Sequence, residues 1–443
     1  MNITKHFITF LVLFSLVLCL PGVLYAQNKK PYKRPVNVGI SLPSNQTAYF
    51  NLGFLSNVNK IKGVSLNVIT STARTRMSGL QVAGIANTTI FRMNGIQLGG
   101  IANVNAMEAN GLMIGGLVNV TSKRYNGLQF SGLSNITGKT SKGVAVSGLL
   151  NIAGQESKGI RLSGLANIAG DSLKGIDISG LMNVAGEKVD GLQLAGILNV
   201  AGGKNKGVQL AGIGNVGVDT KGLQLAGIGN IGGKTKGLQL AAITNVNVNE
   251  TTGVQIATTN VANNLNGVQL GLVNVSAGKQ KGLQIGLVNY SQDTTAHKLG
   301  MVNLNPKTKI QMMVYGGNTS KINLGVRFKN KYTYTILGIG THYLDFDDKF
   351  SGVLSYRAGL YHPISDKWEI SGDLGYAHIE NFDNENVDTP KRMFSLQGRL
   401  NISYQIQKKV GLFASGGFAW TRFYNRDRVF ERKPIVELGV VLF

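Results

Sequence analysis

Two groups of residues in the last quarter of the chain have types and spacing that could support chemistry. They are His342 with Asp345, Asp347 and Asp348, and His378 with Glu380. A histidine close to a carboxylate is a frequent general acid–base pair, and neighbouring Asp side chains supply the oxygen ligands that Ca²⁺ prefers. Both groups fall at the ends of predicted strands or in polar connections, where hydration of an acidic loop is the more ordinary explanation. We therefore expect no catalytic residues, no metal site and no cofactor.

The rest of the sequence offers little further support for an enzyme. It has no HExxH, GxSxG or GxxxxGK motif and no Cys/His metal pattern. The only cysteine, Cys19, lies in a segment that we expect to be removed, which leaves no thiol chemistry. An enzyme that acts through loop residues of a barrel, with His342 or His378 essential, stays open as an alternative.

A third group of residues is a row of lysines spread over the middle of the chain. Each lysine stands one residue before a recurring glycine: Lys142, Lys158, Lys174, Lys206, Lys221, Lys236 and Lys281. With a formal net charge of +23, the chain favours anionic surfaces. The row is either a set of solvated corners or a face that binds a polyanion. The partners that we expect are outer-membrane lipid or lipopolysaccharide, with an anionic polysaccharide or envelope proteins as further candidates, but no nucleic acid.

The glycines themselves mark a repeat that organises most of the chain. They follow one another every sixteen residues from Gly79 to Gly207, and then every fourteen to sixteen residues as far as Gly282. Counting each glycine as position zero, apolar residues stand at positions one and three, and for most of the array at six and nine. Apolar residues two apart between turn formers predict short strands, and a short fixed period predicts a solenoid.

One further column of the repeat is polar. Position eight is Asn in Asn103, Asn119, Asn135, Asn151, Asn167, Asn183, Asn199, Asn215, Asn230 and Asn245. Asn tolerates left-handed backbone angles, so it suits a corner, and stacked Asn side chains can form a hydrogen-bonded ladder. We expect a structural ladder rather than a ligand site.

Two architectures fit this period. Each repeat is either one coil of a β-solenoid, or one strand and turn of a very large transmembrane barrel. No aromatic residue lies between Phe130 and Tyr290, whereas lipid-facing barrels carry aromatic girdles. Antiparallel strands would also place successive identical turns on opposite sides of a membrane. The pattern therefore favours the solenoid.

After Pro306 the composition changes, and both Trp residues lie in this last segment. Apolar and polar residues alternate over long stretches, which is typical of transmembrane β-barrels. The alternation predicts eight strands, near 309–316, 321–328, 332–343, 352–362, 367–379, 393–407, 410–423 and 434–443. Short connections alternate with longer polar ones in most of this series, as in outer-membrane barrels.

The predicted organisation is therefore all-β and has four parts. Residues 1–26 form a signal peptide with a basic start and an apolar run, and residues 27–62 form a basic leader with capping strands. Residues 63–305 form a β-solenoid of about fifteen repeats of 14–16 residues, and residues 306–443 form an eight-stranded antiparallel transmembrane barrel.

The last strand, Ile435–Phe443, ends on Phe and resembles the C-terminal signal of bacterial outer-membrane barrels. The final segment resembles small eight-stranded barrels, and the repeats are similar to Gly-Leu-Gln-rich repeats of uncharacterised surface proteins from Bacteroidetes-like and spirochaete bacteria. This resemblance implies an envelope location and no particular activity. We expect a non-enzymatic outer-membrane structural or surface protein, in which the barrel is an anchor and the periplasmic or surface-exposed solenoid is a scaffold or an adhesive, polyanion-binding face.

Overall fold

The computed structural model describes residues 32–41, 44–342, 344–345, 349–382, 391–424 and 429–443. The predicted signal peptide, Cys19, Asp347 and Asp348 lie outside these ranges. The chain divides into two compact units, Met1–Val248 and Asn249–Phe443. Every regular element of the described residues is a strand, and none of them forms a helix long and apolar enough to cross a membrane.

The first unit consists of parallel strands. They are β1 (Tyr32–Ser41), β2 (Gln46–Ala83), β3 (Ala86–Thr89), β4 (Arg92–Gly99), β5 (Ala102–Asn105), β6 (Glu108–Gly115), β7 (Val118–Thr121), β8 (Arg124–Ser131), β9 (Ser134–Thr137), β10 (Thr140–Ser147), β11 (Leu150–Ala153), β12 (Glu156–Ser163), β13 (Ala166–Ala169), β14 (Ser172–Ser179), β15 (Met182–Ala185), β16 (Lys188–Ala195), β17 (Leu198–Ala211), β18 (Gly214–Ala226) and β19 (Gly229–Ala241). Strand β20 (Thr244–Ile256) spans the boundary between the units.

One coil combines an eight-residue strand and a four-residue strand. Strand β4, for example, is followed by a two-residue turn, strand β5 and a second two-residue turn. Strand β4 then pairs in parallel with β6, and β5 pairs with β7, each residue opposite the one sixteen positions later. Repeated pairing of this kind produces a solenoid of about 17 turns, in which identical residues stack in columns.

The leading glycines bend the long strand of each coil. Gly207 has a φ of 139°, in the region that residues with a Cβ rarely adopt. A Cβ at Gly207 would also stand 2.0 Å from the carbonyl oxygen of Gly191 in the preceding coil. Two independent constraints, backbone angle and close stacking, therefore require glycine at this position in each coil.

The alternative of one large barrel built from the repeats is wrong. Barrel strands joined by short turns would be antiparallel, whereas consecutive repeats of this chain pair in parallel and in register. The solenoid that the period favours is the fold observed.

The second unit begins with parallel strands and ends with antiparallel ones. The parallel strands are β21 (Thr259–Leu270), β22 (Val273–Ser276), β23 (Leu283–Ile285), β24 (Val288–Ser291), β25 (His297–Leu299) and β26 (Val302–Leu304). The antiparallel strands are β27 (Lys309–Gly317), β28 (Ile322–Lys329), β29 (Thr333–Thr341), β30 (Leu344–Asp345), β31 (Lys349–Pro363), β32 (Trp368–Asn381), β33 (Arg392–Gln407), β34 (Val410–Phe423) and β35 (Val429–Leu442).

Eight of these antiparallel strands close into a barrel. Strand β27 pairs with both β28 and β35, and β29 pairs with β31, while the two-residue β30 only extends one connection. The predicted eight strands are confirmed, and the largest difference is that β35 begins at Val429 instead of residue 434. Because the alternation of apolar and polar residues continues along each strand, it indicates where most of the strands begin and end.

The barrel has an apolar outside and a polar inside. Leu374 and Leu400 on neighbouring strands are largely exposed. Inside, Arg357 forms an ion pair of 2.8 Å with Asp373, and Arg399 forms one of 2.8 Å with Glu437. Because small barrels are filled by their own side chains, this buried network occupies the interior where a wider barrel would have a channel.

Candidate functional site

The interior of the first unit's coils contains amide and small side chains together with a column of larger apolar ones such as Leu173. In the repeat that begins at Gly191, the side chains of Gln193, Asn199 and Ala201 are completely buried. Ile197 points outward and is 41% exposed. The coils therefore bury amides that a soluble protein usually exposes, and they expose Leu and Ile side chains that it usually buries.

The predicted Asn residues form a hydrogen-bonded column inside the solenoid. Nine of the ten, from Asn103 to Asn230, donate from the side-chain amide to the Asn of the next coil at 2.8–3.0 Å. Asn199, for example, donates to Asn215 at 3.0 Å and to the carbonyl of Leu210 at 2.7 Å. Both amide hydrogens have partners, which removes the cost of burying them.

The expected position of these Asn residues at a corner is wrong. Most of them lie in the four-residue strands, and the last four lie in the longer strands β17 to β20. Among the described residues, only glycines have positive φ. Glycine takes the left-handed positions because stacked coils leave no room there for a Cβ.

A second interior column contains mostly Gln. Gln209, Gln224 and Gln239 each donate to the Gln of the preceding coil at 2.8 Å. Arg161 and Asp177 interrupt this column with a buried ion pair, in which Arg161 Nε donates to Asp177 Oδ1 at 2.8 Å. The sequence alone did not single out this pair, although both residues stand at position two of their repeats.

The outward-facing apolar residues of the first unit form a continuous strip, which we call the apolar band. Its centre is position six, which recurs every sixteen residues from Ile85 to Ile213 and continues with Ile228 and Ile243. These side chains are 39–55% exposed. Successive members stack directly, since the amide of Leu117 donates to the carbonyl of Ile101 at 2.9 Å. Positions one and three widen the band on one side, and position nine widens it on the other except where Val120 and Ile136 are buried.

The residues of the predicted lysine row stack in one column, but this column is not uniformly basic. In the first unit Lys142, Lys158 and Lys174 lie side by side, as do Lys206, Lys221 and Lys236. Asp190 separates the two groups. Glu156 also pairs with Lys158 at 2.7 Å and with Lys174 at 3.0 Å. Lys281 belongs to the second unit, where it follows the bridge between Leu265 and Gln280.

A more concentrated cationic surface lies on the polar side of the first unit, and we call it the basic groove. It has a volume of about 880 Å³. Seven cationic side chains line it: Lys60, Lys62, Arg76, Arg92, Lys123, Arg124 and Lys139. Of the described residues that line it, Glu108 alone is acidic, and Phe91 and Met107 add apolar surface.

Most of the charges in the basic groove are not neutralised. Glu108 lies between two arginines: Arg92 Nη2 is 3.1 Å from its Oε2, and Arg124 Nε donates to its Oε1 at 3.0 Å. The hydrogen bond from Arg124, and the charges of both arginines, lower the pKa of Glu108. Within the described part of the chain, the other five cations form no ion pair. A groove of this kind can bind phosphate, sulfate or carboxylate groups.

The sequence contains a pattern that indicates the basic groove, although it is less regular than the lysine row and harder to recognise. Arg76, Arg92, Glu108 and Arg124 are sixteen residues apart and stack in register. Lys123 and Lys139 form a second column, in which the amide of Lys139 donates to the carbonyl of Lys123 at 2.9 Å. Glu108 and the mixture of Lys and Arg make these columns less visible than a run of identical residues.

The histidine groups are separate contacts at the barrel rim. His342 Nδ1 contacts the carbonyl of Thr319, whereas the side chain of Asp345 lies outside the described part. His378 Nε2 is 3.9 Å from Glu380, whose carboxylate also accepts a hydrogen bond of 3.1 Å from Arg392. Across the described ranges, no group of three or more His, Cys, Asp or Glu residues could hold a metal ion.

The second unit has its own cavity of about 780 Å³, at the end of the barrel where β28 ends and β32 begins. Lys329 forms a hydrogen bond with Glu369, and its Nζ lies 4.1 Å from the ring centroid of Tyr361. Arg327 Nε donates to Gln311 at 2.7 Å. Arg327 and Lys329 share the one carboxylate of Glu369, so fewer free cations face this cavity than face the basic groove.

No protein-family model matches this chain, and no curated protein matches it. Among solved structures, it is similar to a de novo designed transmembrane β-barrel, with 15% identity, a TM-score of 0.22, and coverage of 31% of this chain and 97% of that one. It is also similar to Ail, the attachment invasion locus protein of Yersinia pestis, with 14% identity, a TM-score of 0.20, and coverage of 30% and 92%.

Proposed function

We propose that this protein is a non-enzymatic component of a bacterial outer membrane, in which the barrel is the anchor and the basic groove binds an anionic polysaccharide of the cell envelope. The observation that carries the proposal is the groove itself. Seven cations surround a single acid that is already held by two of them. Stacked coils repeat the cations along one direction, which suits a linear polymer with regularly spaced charges.

The barrel supports the anchoring part of the proposal. Its strands β31–β35 are 14–16 residues long, more than the 9–11 residues that a tilted strand needs to cross a bilayer. Leucines such as Leu360 and Leu438 face outward, and charged pairs such as Arg357 and Asp373 face inward. Trp368 and Tyr404 lie together near one end of the barrel, with ring centroids 4.7 Å apart and ring planes inclined at 46°, as expected of an interfacial aromatic girdle.

Polysaccharide binding is tested with the purified full-length protein in detergent. We expect dextran sulfate to bind and neutral dextran not to bind, and we expect the affinity to fall as salt rises, because ions screen exposed charges. The bound polymer should be recovered at its original length, since no turnover is proposed. Fluorescence anisotropy of labelled polymer and size-exclusion chromatography measure the two quantities.

Two matched triple variants locate the site. Arg76→Glu, Lys123→Glu and Lys139→Glu together should weaken binding roughly tenfold or more, about 1.4 kcal/mol. The control variant carries the same change of charge on the lysine row, and its affinity for the polymer should change little. It combines Lys206→Glu, Lys221→Glu and Lys236→Glu. Equal losses in both variants would mean that net charge alone attracts the polymer, and the groove proposal would be wrong.

A further inference from the structure

The apolar band does not belong to the core of the protein, so its composition needs another explanation. The coils have their own core, in which amides such as Asn199 and Gln209 and apolar residues such as Leu173 and Val189 are completely buried. The outward residues at position six nevertheless are Ile or Leu in eleven successive coils. Polar residues would be the usual choice on a surface that meets water.

The band is also much larger than ordinary exposed apolar surface. Its central column runs from Ile85 to Ile243, and coils stack at about 4.8 Å, so the column is roughly 50 Å long. Scattered apolar residues on a surface need no explanation, but a continuous strip of this size marks a site of association with a protein or a membrane.

A cationic column borders one side of the apolar band. There the lysine row stands two residues before position one, as Lys206 does before Val208. The column on the other side, three residues after position nine, is mixed, since Lys139 is followed in it by Gln155 and Asp171. An apolar strip with a row of lysine along its edge is typical of elements that lie on anionic membranes, where the long side chains reach the phosphates.

We propose that the apolar band of the first unit lies against a lipid bilayer surface, with its apolar side chains among the acyl chains and the bordering lysines at anionic headgroups. Charge complementarity favours this occupant over a second copy of the chain. Two copies that met through the band would bring like-charged lysine rows together, which costs free energy. This inference is independent of the polysaccharide proposal, because it concerns the apolar columns and the lysine row, none of whose residues lines the basic groove.

Site-specific labelling tests the proposal in the full-length chain that begins at Gln27. Cys19 is the only cysteine of the sequence, so Ile197→Cys or Ile213→Cys introduces a single label site. Each variant is labelled with an environment-sensitive fluorophore and reconstituted into vesicles of phosphatidylglycerol and phosphatidylethanolamine. We expect blue-shifted emission, at least twofold quenching by lipids with a nitroxide on the acyl chain, and protection from aqueous iodide.

The matched control is Lys204→Cys, which stands on the polar side of the same coil as Ile197 and is also exposed. Its label should respond to iodide and not to the nitroxide lipids. If the labels at residues 197 and 213 behave as the label at residue 204 does, the band does not contact lipid and the proposal is overturned. Heat-dependent electrophoretic mobility checks that each variant has a folded barrel.

Self-association is the competing result that the same samples detect. Oxidation of Ile197→Cys would then give disulfide-linked dimers in detergent, and the label would be shielded from iodide without any vesicle. That outcome would overturn the lipid assignment in favour of a second copy. Under the proposal, shielding appears only with vesicles, and it weakens when phosphatidylglycerol is omitted and salt is raised.

Discussion

At the scale of single residues, Lys298 in β25 is the clearest case of a charge that the fold does not accommodate. Burial lowers the pKa of its ammonium group from 10.5 to about 8, and the nearby carboxylate of Asp293 offsets only part of this effect. Its Nζ has no hydrogen-bond partner in the described part of the protein. The unfolded chain holds this proton more tightly than the folded chain does.

Replacing Lys298 with Met should therefore stabilise the second unit at neutral pH. The folded pKa lies below the unfolded one, so the stability of the wild type rises with pH between about 8 and 10.5, where only the unfolded chain keeps the proton. Lys298→Met should raise the unfolding temperature at pH 7 by about 2 °C, and this gain should shrink towards pH 10.5. The exposed Lys281→Met is the control, and an equal gain at both pH values would contradict the explanation.

At the scale of elements, the two faces of each coil show where sequence reasoning succeeds and where it stops. Alternation with period two identified the barrel strands, and the sixteen-residue spacing identified the coils. Alternation defines two faces but does not say which one is inside. Two neighbouring columns, such as those of Gln209 and Leu210, are both regular, and only the closed coil shows that the amides stack within it. The basic groove combines columns from several coils, so no single repeat contains it.

The ion pair of Arg161 and Asp177 gives a prediction for the interior columns. Arg161→Gln alone should destabilise its coils by about 3–5 kcal/mol, because it leaves a buried carboxylate without its partner. Arg161→Gln together with Asp177→Gln should recover most of this loss. Gln193 Nε2, which has no hydrogen-bond partner among the described residues, would then donate to the new amide at position 177. Hydrogen exchange of residues 145–185 measures the local effect, and a double variant as unstable as the single one would contradict it.

At the scale of the whole molecule, the ends of the barrel differ. The connections 330–332, 364–367 and 408–409 are short and lie at the end where β27 begins, whereas β32 and β34 end at the opposite end, before the longer connections to β33 and β35. Short turns of outer-membrane barrels face the periplasm. An even number of strands also returns the chain to the side from which it entered, so both ends of the barrel belong to the short-turn side.

An epitope tag inserted beside Lys206 tests the resulting location of the repeats. We expect the tag to resist external protease on intact cells and to be cleaved once the outer membrane is opened, because the proposed outer-membrane barrel, with its short turns towards the periplasm, would leave the chain before β27 on the periplasmic side. A tag in the connection 382–391 is the control and should be cleaved without lysis. Cleavage of both tags on intact cells would place the repeats at the cell surface.

The parallel register of the coils has a consequence for how the gene can change. Strand β17 pairs with β18 across a coil of fifteen residues instead of sixteen. The register shifts only between Ala201 and Lys204, where the earlier coils have a two-residue turn. The Asn, Gln and Gly columns continue on both sides of that shift. Unequal recombination between any two repeats would thus add or remove whole coils and leave every column intact. The length of the solenoid can vary by duplication without a new fold having to be found.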